Sequence, residues 1–262
     1  MTASWQESLL NARGQIEPIR GGVRFGLPWI PISSLAEQFY CEAKVDFEYK
    51  FGRVPTPAKE EGTELHEGII EMEPTTPRDL VRSISQKPFC ICTFPVFARV
   101  EGIMILGIPD AVLFKRSRPS HLIELKTTSG DVKRIWRDQV VQVKSYGFAM
   151  ELMGFGCESL QLSLIRVSKQ RITDELKERL LDETTDAFLQ GDVAGAEMRL
   201  NRRIGGPVKI HLFDYNRSDA LKDVLWAKDY WLGNREAIPT TSPSKCRACE
   251  FSVDCPFSLA RT

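Results

Sequence analysis

Two short polar patterns carry the chemistry in this sequence: E-L-K at Glu124, Leu125 and Lys126, inside the run HLIELKTT, and G-I-P-D at Gly107 to Asp110 just before it. In a strand, side chains at i and i+2 share a face, so Glu124 and Lys126 point together while Ile123 and Leu125 point the other way. If Ile103 to Phe114 and His121 to Thr128 form a hairpin turning near Ser117, reflection about the turn sets Asp110 opposite Glu124 or its neighbour. Two carboxylates side by side repel unless a cation joins them, and hard oxygen donors of this kind suit Mg²⁺ or Mn²⁺. Lys126 beside such an ion could orient an attacking water or stabilise charge building on a phosphate, which is the chemistry of phosphodiester hydrolysis.

Three further residues fit that site. Gln142 and Tyr146 lie four apart on a predicted helix, hence on one face, where both could hydrogen-bond to phosphate or to the metal ligands. His66 could add a neutral imidazole to the same metal. Taken singly, each piece has a plainer reading: Glu124 and Lys126 as a surface ion pair, Asp110 as a turn residue after Pro109, His66 as a partly buried helix histidine, Gln142 and Tyr146 as a solvated helix face. Their order and separation give the set its weight.

The elements that must position these residues follow from periodicity. The segment Pro31 to Lys50 reads as one helix, with Ser34 and Glu37 in capping-box spacing and Cys41 near its middle. A second helix over Lys59 to Met72 places Gly62, His66, Ile69 and Ile70 on one face. Strand-like runs at Phe89 to Val100, Ile103 to Phe114 and His121 to Thr128 predict a β-meander, with KRSRPS as the last turn. A helix over Lys133 to Leu152 and a strand over Leu160 to Val167 follow. Helical stretches at Ile172 to Leu200 and Ser218 to Leu232 flank the strand VKIHLF, and KCRACEFSVDCPF closes the chain as a cysteine knuckle. Arg20 to Pro31 and Ala237 to Ser244 read as connectors.

With 262 residues and 42% hydrophobic content, the chain can bury a sizeable core and reads as one domain. Its 35 basic and 35 acidic residues cancel, so a nucleic acid would be held by a local basic groove rather than a global field. No apolar run approaches the roughly 20 residues needed to cross a bilayer, and the N-terminus lacks a signal-peptide core. The expectation is a soluble, cytoplasmic protein with no membrane partner. Seven cysteines in a reducing compartment argue for metal ligation or burial rather than a disulfide framework.

Taken together, G-x-x-x-H at Gly62 to His66, G-I-P-D, E-L-K, and Q-x-x-x-Y at Gln142 to Tyr146 resemble the ordered motifs of RecB-type nucleases of the PD-(D/E)XK superfamily. The resemblance implies an α/β fold, a restriction-endonuclease-like core with a mixed central sheet flanked by helices. It also implies that His66, Asp110 and Glu124 hold the divalent metal, that Leu125 lends its backbone carbonyl, and that Lys126 is catalytic. Cys41 combined with Cys246, Cys249 and Cys255 at C-x₂-C-x₅-C spacing is similar to the iron-sulfur branch of that family. Four thiolates suit a [4Fe-4S] cluster or a structural zinc, and spacing alone does not separate them; the resemblance, with Pro256 after the last cysteine, implies the cluster. Cys90, Cys92 and Cys157 match no motif and read as core residues.

The boundaries implied are a single nuclease domain over 1–262: an N-terminal helix at 31–50 with the first cluster cysteine, catalytic motifs at 59–170, an elaboration at 171–236 and the knuckle at 244–257. The layout resembles CRISPR-associated single-strand exonucleases of spacer acquisition, implying 5′ to 3′ action and CRISPR integrase proteins as partners, and also resembles iron-sulfur repair exonucleases. The competing readings are a non-catalytic DNA-binding scaffold and a zinc-knuckle interaction protein. For DNA, single-stranded or with single-stranded ends, basic runs at Lys115–Arg118, Lys133–Arg137, Arg166–Arg171 and Arg199–Arg203 could track phosphates, with Trp136 stacking a base or packing in the core.

Overall fold

The computed structural model describes residues 4–54, 76–169, 174–204 and 208–260. The predicted helix over Lys59 to Met72, and with it Gly62 and His66, lies outside the described residues.

Proline shapes the strand layout. Pro95 and Pro109 cannot donate to a ladder, and each falls where a run predicted as continuous breaks in two. Phe89 to Val100 becomes β2 (Phe89–Cys92) and β3 (Val96–Val100), and Ile103 to Phe114 becomes β4 (Ile103–Gly107) and β5 (Ala111–Lys115). The halves go to different sheets, so the expected meander is corrected. Among the described residues, β1 (Ile30–Pro31), β4 and β3 form a mixed three-stranded sheet, and β2, β5, β6 (Arg118–Thr128), β7 (Gln161–Ser168) and β8 (Val208–Asp214) a mixed five-stranded one, in those orders.

The hairpin near Ser117 forms. Arg116 and Ser117 both adopt positive φ, as a tight two-residue connection requires, between the paired Lys115 and Arg118. A register shift after Leu113 carries the pairing to Ala111 opposite Ile123. Asp110 therefore stands at the strand end beside Glu124. Strands β6 and β7 run parallel, with Lys126 level with Arg166.

Each face of the five-stranded sheet has its own apolar layer. Val112, Phe114, Leu122 and Leu162 face one layer, shared with α6 (Arg137–Leu152) and α9 (Arg217–Trp231). Ala111, Leu113, Ile123, Leu125, Ile165 and Val167 face the other, where Leu176, Leu180, Phe188 and Leu200 cover them from α7 (Asp174–Gln190) and α8 (Val193–Ile204). The stretch read as one helix breaks at Gly191, whose φ of 75° belongs to a residue without a side chain. This region covers a whole sheet face and is part of the core.

The N-terminal helix is also corrected. Two helices, α3 (Ile32–Gln38) and α4 (Glu42–Phe51), replace the one expected, and Cys41 is the N-cap of the second rather than a mid-helix residue. Pro31, not Ser34, caps the first; the Ser34 hydroxyl lies 3.0 Å from Tyr49 Oη, and Glu37 pairs with Lys44. A helix missed in the sequence, α5 (Pro77–Gln86), is announced by Thr76 accepting from the Asp79 amide and by proline at its first turn. No described helix is long and apolar enough to cross a membrane.

Candidate active site and cysteine cavity

Strand alternation sends Ile123 and Leu125 into the second apolar layer and leaves Glu124 and Lys126 on the α6 side, as their spacing predicts. Lys126 Nζ donates to Glu124 Oε1 at 2.7 Å. Asp110 Oδ2 accepts from the Leu125 amide at 2.7 Å, which fixes the carboxylate at the mouth of β5. For Leu125 this amide is the contact that the structure shows.

From α6, Gln142 Nε2 donates to Glu124 Oε1 at 2.8 Å and to Tyr146 Oη at 3.1 Å. Their i, i+4 spacing does place both on one face, but that face is buried rather than solvated: Gln142 is 9% exposed and Tyr146 4%. Five of the predicted residues, Asp110, Glu124, Lys126, Gln142 and Tyr146, thus belong to one polar patch on an apolar sheet face. The glycine of G-I-P-D has a packing reason. A Cβ at Gly107 would sit 2.7 Å from Tyr146 Cε1 and 3.0 Å from Ile32 Cβ, so only glycine admits the tyrosine ring there.

The patch sets its own protonation. Burial alone would lower the Lys126 pKa, but the Glu124 and Asp110 carboxylates outweigh it and hold the ammonium above its ordinary value. Burial, reinforced by Glu124, pushes the Tyr146 phenol up, so it stays a neutral hydroxyl. Asp138, one turn before Gln142 on the same face, is raised by burial against the pull of Lys245 and Lys126. Asp138 is a residue of this patch that sequence reasoning missed, with the i, i+4, i+8 series of Asp138, Gln142 and Tyr146 as its signal; Arg166, read as the start of a phosphate-tracking basic run, is buried.

Three members of the basic runs have protein partners. Lys115 donates to the Phe188 carbonyl at 2.7 Å, Arg137 pairs with Asp223 at 2.9 Å, and Arg199 pairs with Glu183 and Asp192. Arg166 is buried, and the Arg134 guanidinium lies 3.9 Å from the centre of the half-buried Trp136 ring.

Cys41, Cys246, Cys249 and Cys255 line one small cavity with Tyr40, Lys44 and Lys245. Backbone amides serve three of the sulfurs: Thr240 N lies 3.4 Å from Cys41 Sγ, and the Phe251 and Phe257 amides hydrogen-bond Cys249 and Cys255. Such bonds favour thiolate, although burial still holds the Cys249 and Cys255 thiols above their ordinary pKa. A clamp braces the closure. Glu42, 1% exposed, accepts from Arg235 Nη1 and Nη2 at 2.5 and 2.6 Å and from the Ile238 amide at 2.6 Å. Lys245 donates to the carbonyls of Phe39 and Tyr40 where α3 ends.

Both donor sets suit the groups that the sequence resemblance implies: paired hard carboxylates for Mg²⁺ or Mn²⁺, four soft thiols for an iron-sulfur cluster or zinc. As placed, no three His, Cys, Asp or Glu side chains among the described residues stand close enough together to hold a metal ion. Cys90 and Cys157 are buried core residues, and Cys92 is partly buried.

No protein-family model matches the chain. Partial similarity to a nuclease is found: over 72 residues, 28% of the chain, it is 35% identical to exonuclease V, mitochondrial, of Candida albicans (strain WO-1). It is 37% identical over the same length to the protein of that name in Candida dubliniensis (strain CD36). The match spans 12% and 11% of those proteins. A solved structure described as SSO0001 aligns over 98% of both chains at 17% identity, with a TM-score of 0.47.

Proposed function

We propose that the protein is a metal-dependent DNA nuclease of the PD-(D/E)XK type, acting as an exonuclease on single-stranded ends. The observation that carries this reading is the convergence of Asp110, Glu124, Lys126, Gln142 and Tyr146 in one polar patch between β6 and α6. The partial similarity to proteins named exonuclease V supports the same class.

Asp110 and Glu124, with His66 and the Leu125 carbonyl by resemblance, would hold Mg²⁺ or Mn²⁺. When bound, the ion supplies Lewis acidity toward a phosphodiester and lowers the pKa of a coordinated water. Lys126 remains an ammonium, so it can orient a water by donation and offset charge on a phosphate oxygen. Gln142 holds the Glu124 carboxylate in place, and Tyr146 holds Gln142.

The cysteine quartet would hold a [4Fe-4S] cluster in a structural role, with the amides at Cys41, Cys249 and Cys255 stabilising thiolate sulfur. A brown protein absorbing at about 400 nm supports the cluster, and stoichiometric zinc in a colourless one replaces it. Action in CRISPR spacer acquisition beside integrase proteins, with 5′ to 3′ polarity, rests on the motif resemblance. Repair-type end processing rests on the same resemblance, while exonuclease action as such has the added support of the exonuclease V similarity.

The experiment is cleavage of 5′- and 3′-labelled single-stranded DNA with Mg²⁺, Mn²⁺ or excess chelator, comparing anaerobically purified wild type with Glu124→Ala. Products that need the metal and vanish in the variant are expected, and their ladder gives the polarity. A folded wild type inert with both metals on several DNA ends would replace this reading with that of a non-catalytic DNA-binding scaffold.

A further inference from the structure

The sheet face that carries Lys126 holds a second cation that the reaction above does not use. Arg166 stands level with Lys126 in the parallel pairing of β6 and β7, so its side chain leaves the same face of the sheet. It is 2% exposed, and its Nε and Nη1 are buried with no hydrogen-bond partner. Asp138 Oδ1, on the Gln142 face of α6, is likewise buried without one.

Burial draws the Arg166 pKa below its ordinary value against the attraction of Asp131 and Asp138, yet arginine stays charged at any working pH. An arginine that serves only the fold spends its donors on carboxylates or carbonyls, as Arg235 does on Glu42. Buried donors left unmatched cost stability, and such a cost persists where the group has another partner to meet. The guanidinium fork matches tetrahedral phosphate oxygens in geometry and charge.

We propose that Arg166 is a phosphate-binding residue of the Glu124–Lys126 site, taking the non-bridging oxygens of a nucleic-acid phosphate seated beside Lys126. This deepens the nuclease reading and rests on it for the identity of the strand. Asp131 and Asp138 hold the guanidinium by charge, against Arg134, and leave its donors to the ligand.

The test compares full-length wild type with Arg166→Met and Arg166→Lys by thermal unfolding, with and without inorganic phosphate or pyrophosphate, and by cleavage kinetics. Arg166→Met is expected to unfold at the wild-type temperature or above it, because it removes an unmatched buried charge. It is also expected to weaken the phosphate-induced stabilisation by about tenfold in apparent affinity and to raise KM for oligonucleotides by a similar factor, with partial recovery in Arg166→Lys.

A lower unfolding temperature, or failure to fold, with phosphate stabilisation intact in Arg166→Lys would make Arg166 a structural residue and overturn the assignment. Phosphate stabilisation lost in Arg166→Met while the wild type cleaves no DNA would keep the assignment and remove the nuclease reading. Equal cleavage and equal phosphate response in wild type and Arg166→Met would do the reverse.

Discussion

Glu124 and Glu42 are both carboxylates with almost no exposed surface, 2% and 1%, and they are held in opposite ways. Glu42 is saturated by a two-pronged arginine, a backbone amide and the Gln38 amide at 2.6 Å. Glu124 shares its Oε1 between Lys126 and Gln142, and the elements that carry it also bear unmatched atoms, Asp138 Oδ1 and Arg166 Nε and Nη1. Lys126 and Gln142 lie 2 and 18 positions from Glu124, whereas Arg235 and Ile238 lie 193 and 196 positions from Glu42. A satisfied network fixes structure; a network with spare donors and acceptors is arranged for something that arrives later.

The same chemical change at the two carboxylates should therefore have opposite results. Glu124→Gln is expected to lower cleavage by about 10²- to 10³-fold while moving the unfolding temperature by a few degrees at most. Glu42→Gln is expected to cost about 3–5 kcal/mol, because Arg235 loses the charge it is paired with, lowering the unfolding temperature on the order of 10 °C. Its activity per folded molecule should be unchanged. If both variants lose stability alike, or both lose activity alike, the contrast between clamp and groove is wrong.

Two smaller effects refine it. Gly107→Ala should push the Tyr146 ring from its place and, through Gln142, loosen Glu124, lowering kcat by about tenfold with a moderate stability loss. A kcat unchanged in a variant of normal stability would leave Tyr146 outside the working set. His121 offers a control away from both regions: burial, with Lys115 next, lowers its pKa to about 4, and its ring stacks on Phe188. Its folded-state pKa lies below the ordinary 6.5, so its contribution to stability is full above pH 6.5 and is lost as pH falls toward 4. His121→Phe should flatten the rise of unfolding free energy with pH across that window, and an unaltered slope would mean that His121 is not the group titrating there.

How much was legible in the sequence depends on range. The E-x-K face and the place of Asp110 follow from two-residue alternation and a hairpin, which short spacing encodes, and both hold despite the shift after Leu113. Gln142 and Tyr146 were placed on one face by helical spacing, yet their burial depends on where α6 lies, which periodicity does not state. Arg166 read as the first member of a basic run although Ile165 and Val167 flank it; its burial comes from β7 lying between β6 and β8. The clamp of Glu42 by Arg235 has no local signal, since an ion pair across 193 positions leaves no pattern in either segment. The break at Cys41 was hidden by apolar periodicity running through Phe39 and Tyr40 into α4.

The pairing of Cys41 with Thr240 across 199 positions also sets an order of events. Contacts of that separation cannot form until the intervening chain has been synthesised, and closing so long a loop is slow because its entropy must be given up first. The central sheet and its helices can assemble beforehand, while the knuckle region arrives after them. During that interval Glu42 is a carboxylate without its arginine, and a chain stalled before Arg235 leaves it in that state. Closure of the fold is thereby coupled to synthesis through the knuckle, with the α3–α4 junction as the point where a chain not yet so far extended differs from one that is.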